Sequence, residues 1–220
     1  MMKRFLSALA LLALAAAGSA AQSGGRDLPP GMRSIAGVTL NRDSAASIRQ
    51  KLGATRERKV GAGHDGFVSW CYVARPDSSP ILLELMSDVS DMGTRGRELD
   101  VIRLRAASSA KARQGCAPLG SSVTLATPSG LRLGLTASQA RALLGRPSRA
   151  TADSLVYELD AKEYMRPDSP YYAGWNSTER RESCFGGGPP YANVGGTVIL
   201  VLVAQQVAEI RLERYDQSVC

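Results

Sequence analysis

A chain of 220 residues with 27 Lys and Arg against 20 Asp and Glu carries a formal net charge of +7. Its 44% hydrophobic and 21% charged residues are too apolar a mixture for a disordered polypeptide. A single histidine and four cysteines without a Cys-x-x-Cys pair exclude most zinc sites, histidine-based triads and Cys–His nucleophile pairs.

The first segment reads as an address. Lys3 and Arg4 precede an apolar run over 5–17, broken only by Ser7, and Gly18-Ser19-Ala20-Ala21 then offers the small residues a signal peptidase reads. Residues 1–21 are therefore expected to be a secretory signal peptide cleaved near Ala20 to Gln22, with a run too short to anchor in a bilayer. No cysteine stands immediately after that point to take a lipid, so the mature chain is expected to be periplasmic or secreted, with no membrane anchor. The basic surplus is dispersed, mostly arginine, and forms no patch interleaved with aromatics, so nucleic acid is not an expected partner.

Export places Cys71, Cys116, Cys184 and Cys220 in an oxidising compartment, where two disulfides are the default. Four cysteines allow three pairings. Cys71–Cys116 with Cys184–Cys220 is the arrangement in which each bridge staples one half of the chain, for roughly 3–4 kcal/mol apiece in the chain-entropy picture.

The mature sequence repeats itself. Gly37-Val38-Thr39-Leu40 leads into a short helical pattern ending at Leu52-Gly53, and Gly130-Leu131-Arg132-Leu133 leads into another ending at Leu144-Gly145. Thr136 and Gln139 have the spacing of a capping box. Ala140, Leu143 and Leu144 fall on one helical face, Gly145 offers a left-handed exit, and Pro147 blocks continuation. In the first copy Asp43 or Ser44 caps, while Ile48 and Leu52 form the stripe. Helices this short need a sheet to lie on.

Stretches rich in apolar and β-branched residues predict strands over 67–74, 81–86 and 99–104, then over 154–159, 197–204 and 207–213. Gln205-Gln206 divides the last two closely enough for a tight hairpin. Each half ends in Ile-Arg-Leu, at 102–104 and 210–212. The predicted fold is α+β: two tandem units, 35–118 and 128–220, each of short helices packed on an antiparallel β-meander, connected through 119–129.

The Gly-x-x-Leu…Leu-Gly-x-Pro unit, carried by Gly130, Leu133, Leu144, Gly145 and Pro147 and echoed by Gly37, Leu40, Leu52 and Gly53, resembles the signature of the β-lactamase-inhibitor-protein-like (BLIP-like) superfamily. That superfamily includes small outer-membrane assembly lipoproteins of the SmpA/OmlA type. The resemblance implies two helix-plus-sheet units, a disulfide in each, and a concave sheet face that grips an enzyme. This chain departs from the lipoproteins in lacking a lipidation cysteine and in carrying two units. No inhibitory contact residue transfers, because none lies in the matching motif.

Three motifs invite chemistry. His64-Asp65 within Gly61-Ala62-Gly63-His64-Asp65-Gly66 could act as an acid–base pair, but reads as a glycine-rich turn. Gly186-Gly187-Gly188-Pro189-Pro190 lacks the lysine and following helix of a phosphate cradle. Asn176-Ser177-Thr178 matches a glycosylation acceptor, which the bacterial resemblance leaves unused. The stretch 164–175 crowds Tyr164, Tyr171, Tyr172 and Trp175 beside Arg166, the residue types that dominate interfaces. Those five are the candidate partner-binding residues, with an insertion covering its own sheet as the other reading. The functional expectation is an exported, non-catalytic protein-binding module without cofactor or metal, an inhibitor or immunity-type partner of an extracytoplasmic enzyme being one concrete version. The alternative is a cell-envelope structural or assembly factor resembling SmpA/OmlA proteins.

Overall fold

The computed structural model describes residues 28–60, 66–74, 79–88, 98–107, 109, 113–164, 167 and 176–218. The first 27 residues, with the expected signal peptide, and His64, Asp65 and Cys220 lie outside them.

The fold is α+β. A 3-10 turn, Pro30–Met32, leads into a small hairpin of β1 (Ser34–Ile35) and β2 (Val38–Thr39), followed by α1 (Ala45–Leu52). Four strands come next: β3 (Arg58–Val60), β4 (Phe67–Ala74), β5 (Ile81–Asp88) and β6 (Val101–Ala106). A short β7 (Ala117–Pro118) precedes α2 (Ala137–Leu144), β8 (Arg149–Ala150), β9 (Ser154–Tyr164), α3 (Thr178–Phe185), β10 (Tyr191–Val203) and β11 (Gln206–Ser218). The strands join in one sheet, ordered β3-β4-β5-β6-β11-β10-β9-β8, and β7 pairs in parallel with β4.

The two four-strand meanders meet edge to edge where β6 pairs antiparallel with β11. In that register Ile102 faces Leu212, Arg103 faces Arg211 and Leu104 faces Ile210. Ser44 forms an isolated bridge with Glu98, and Thr136 forms one with Gln206. Beside them, Leu99 N–H donates to Asp43 O at 3.0 Å and Val207 N–H donates to Leu135 O at 2.8 Å.

Alternation along the strands separates two faces. Trp70, Tyr72, Leu83, Leu85, Ile102, Leu104, Leu200, Ile210 and Leu212 point inward and lose all contact with solvent. Ile48 and Leu52 of α1 and Ala137 and Ala140 of α2 belong to the same core, so both helices cover one side of the sheet. The capping box forms as the spacing predicts: Gln139 N–H donates to Thr136 Oγ1, and Thr136 N–H donates to Gln139 Oε1. Ser44 is the N-cap of α1.

Several local expectations need correction. Leu143 is 39% exposed, because α2 meets the sheet through Ala137 and Ala140 and so turns Leu143 to one flank. Gly53 and Gly145 have φ of +92° and +83°, but ψ is extended and not left-handed helical, a region that suits glycine alone. The β10–β11 turn is Ala204-Gln205, with φ of +49° and +61°, while Gln206 already faces Val203 in the ladder. Strands β9 to β11 run well past their predicted ends, since backbone pairing continues through 191–196 without an apolar pattern. The segment 119–129 is packed against the core through Leu119, Val123 and Leu125. Helix α3, with Ser177 as its N-cap and no buried residue, was not anticipated.

Candidate functional site

The other face of the sheet carries an ordered array of charged side chains. Arg103 and Arg105 on β6 lie between Glu84 on β5 and Glu209, Arg211 and Glu213 on β11. They alternate with the buried Leu83, Leu85, Ile102, Leu104, Ile210 and Leu212, so their side chains emerge on the face opposite the helices. The Arg103 guanidinium forks onto Glu209, Nε to Oε1 at 2.7 Å and Nη2 to Oε2 at 2.9 Å, and its Nη1 lies 3.7 Å from Glu84. Arg105 forks onto Glu84 at 3.0 and 3.3 Å. Arg211 pairs with Glu213 along its own strand.

Arg103 and Arg211 are directly opposed like charges, an arrangement that is unfavourable alone. The flanking carboxylates offset it. The bond from Glu209 holds the Arg103 guanidinium protonated still more firmly than usual, against the opposing effect of burial. Fork geometry fixes the guanidinium planes of Arg103 and Arg105, while Arg103 stays 35% and the singly paired Arg211 42% exposed. The array is therefore rigid and accessible together.

Beside it, on β9 and β10, Val156, Ile199 and Val201 are half-buried and Val203 is 63% exposed. Ile199 faces both Val156 and Arg211, so aliphatic stripe and charged array are continuous. At the other end of this face, a bridge joins Cys71 to Cys116. It lies over Cys71, Val73 and Leu82, a small cluster separate from the main core.

Of the cysteines read from sequence, Cys71 and Cys116 are paired with each other. Cys184, on α3, is disulfide-bonded to a partner outside the described residues. Tyr164 ends β9 instead of opening an irregular stretch. Arg166, Tyr171, Tyr172 and Trp175 lie outside the described residues, as do His64 and Asp65. Asn176 directly precedes the Ser177 cap of α3, and Gly186 and Gly187 form the turn after it. A shallow groove of about 410 Å³ between 34–37 and 122–128 has no ionisable residue in its lining. Among the described residues no group of three His, Cys, Asp or Glu could hold a metal ion, and no helix is long and apolar enough to cross a membrane.

The outer-face residues Glu84, Arg103, Arg105, Glu209 and Arg211 were not singled out from sequence. A signal existed, in the strict alternation of Ile102-Arg103-Leu104-Arg105 and Glu209-Ile210-Arg211-Leu212-Glu213. Such alternation is equally that of any solvated sheet face. Comparison with protein-family models, with curated proteins and with solved structures returns no match for the chain.

Proposed function

We propose that the chain is an exported, non-catalytic protein-binding module, built as two tandem BLIP-like units, that recognises another protein through its outer sheet face. The observation that carries this reading is the pairing, on one accessible face, of pre-ordered guanidiniums with an aliphatic stripe. Arginines already locked by carboxylates lose little side-chain entropy on binding, and exposed aliphatics beside them supply desolvation energy. An inhibitor or immunity-type role toward an extracytoplasmic enzyme is the version the resemblance implies. The Cys71–Cys116 bridge fits an oxidising compartment, periplasmic or extracellular.

Correspondence between the halves supports the duplication. Matching Ile102-Arg103-Leu104 to Ile210-Arg211-Leu212 and following the strand pairing outward sets Leu85 against Leu200 and Tyr72 against Tyr157. The bridges Ser44–Glu98 and Thr136–Gln206 correspond in the same way. Burial pushes both tyrosine hydroxyls up in pKa, and each is drawn back by one arginine, Arg49 for Tyr72 and Arg141 for Tyr157. Those arginines occupy the same place in α1 and α2, four residues before the terminal glycine.

Inner-face positions thus recur while outer-face ones have diverged: Glu84 answers to Ile199, Val101 to Glu209 and Arg105 to Glu213. Packing constrains the first set. The second is free to specialise.

The test compares affinity capture by the mature protein with capture by Ile199→Asp and Arg211→Glu variants. The expected result is a co-purifying protein lost from both variants while their thermal unfolding stays cooperative. Retention of the same protein by both variants would refute the reading.

A further inference from the structure

Cys71, Val73 and Leu82 form a hydrophobic cluster of their own on the outer face, with Ala107 and Cys116 packed on it. The main core shares none of these residues. Cys116 belongs to a strap, 113–118, which among the described residues is held, besides the disulfide, by a two-residue strand pairing, by Arg58, whose Nη2 lies 3.9 Å from Cys116 Sγ, and by Ala117 on the edge of the main core. Strand β7 pairs with β4 over two residues only, Tyr72 with Ala117 and Val73 with Pro118, and in the weaker parallel sense. Arg58 donates to the Gln114 carbonyl, and Gly115, at φ +72°, turns the strap beside that guanidinium. At its far end Leu119 N–H donates to Val73 O at 2.8 Å, and the buried Leu119 side chain roots the strap in the main core.

We propose that the Cys71–Cys116 disulfide is a redox latch: reduction by a dithiol frees the 113–118 strap and uncovers Val73, Leu82 and the outer edge of β4, while the rest of the fold stays intact. Cys116 carries the sulfur attacked, since that residue is half-buried whereas Cys71 is 3% exposed. A thiolate of the dithiol bonds to Cys116 Sγ, and Cys71 leaves as a thiolate that takes up a proton. The second thiol of the reductant then closes onto the first, releasing Cys116 as a thiol. The protein gains two electrons and two protons, and the dithiol becomes a cyclic disulfide.

Strap release is local because the cluster it opens is separate from the core beneath the helices, which the strap touches only at its edge, through the small side chain of Ala117. It enlarges the apolar part of the outer face at the end where Leu82 faces Arg105. The latch stands whether or not that face binds a protein.

Hydrogen exchange read by mass spectrometry tests it on three samples: the oxidised protein, the reduced protein, and a Cys71→Ala/Cys116→Ala variant that keeps the Cys184 disulfide. In the latter two, peptides covering 113–118 are expected to exchange about tenfold faster or more, with tryptic cleavage after Arg113 rising in parallel. The amides of β6 and β11 keep their oxidised rates. Unchanged exchange in the strap, or loss of protection across β6 and β11 together with it, overturns the proposal.

Discussion

Gly196 on β10 offers a direct test of how the N-terminal arm is pinned to the sheet. Leu28 is fully buried and lies over this glycine. A Cβ at 196 would stand 2.7 Å from Leu28 Cδ1, closer still to its Cγ, and 3.0 Å from the Glu213 carbonyl oxygen. Real Cβ atoms essentially never approach so near, and the carbonyl belongs to a paired strand that cannot retreat. Gly196→Ala must therefore either strain the packing in place, at about 1–3 kcal/mol, or expel Leu28, at about 1.5–3 kcal/mol. Both routes predict a loss of about 2 kcal/mol, which for a chain of this size lowers Tm by roughly 4–8 °C.

Urea unfolding followed by circular dichroism measures it, and a double-mutant cycle identifies the cause. Leu28→Ala alone costs about 2–4 kcal/mol. In that background the further change Gly196→Ala is expected to cost clearly less, about 1 kcal/mol or under, because only the Glu213 carbonyl still crowds the new methyl. Equal effects of Gly196→Ala in both backgrounds, or none in the wild type, would refute the reasoning.

Two further outcomes follow from named contacts. Burial pushes the Asp43 carboxyl up, but bonds from Lys51, Ser47 and the Thr39 N–H, with the Lys51 charge, outweigh it and hold the group below 3.8. A carboxyl lowered in the folded state stabilises fully above its ordinary pKa and loses that contribution as pH falls through the folded value. Asp43→Asn should thus cost about 1–3 kcal/mol at neutral pH, and the difference from wild type should shrink progressively in urea titrations as pH falls from 3.8 downward; a pH-independent difference would contradict this. Tyr72 Oη donates to Gly53 O at 2.9 Å, whereas the buried Tyr157 hydroxyl finds no partner among the described residues. Tyr72→Phe is expected to cost about 1 kcal/mol and Tyr157→Phe to be neutral or stabilising; equal losses in thermal unfolding would overturn the distinction.

What the amino-acid order alone determined was local. Thr136 and Gln139 cap α2 because a hydroxyl and an amide three residues apart can satisfy each other's backbone wherever the helix lies. Gly53 and Gly145 end their helices for a reason contained in their own φ. The apolar and β-branched content of 99–104 and 207–213 marked both stretches as strands. Even so, the turn at Ala204-Gln205 and the flank position of Leu143 escaped, since strand register and helix rotation depend on what lies opposite.

Tertiary structure decided everything that needs two distant segments. Arg103 meets Glu209 across 106 positions of chain, and neither residue carries a mark of the other. The same holds for Leu28 against Gly196. Joining the two meanders through β6 and β11 turned scattered charged residues into one array on one face, because strand register, and not sequence spacing, sets which side chains become neighbours.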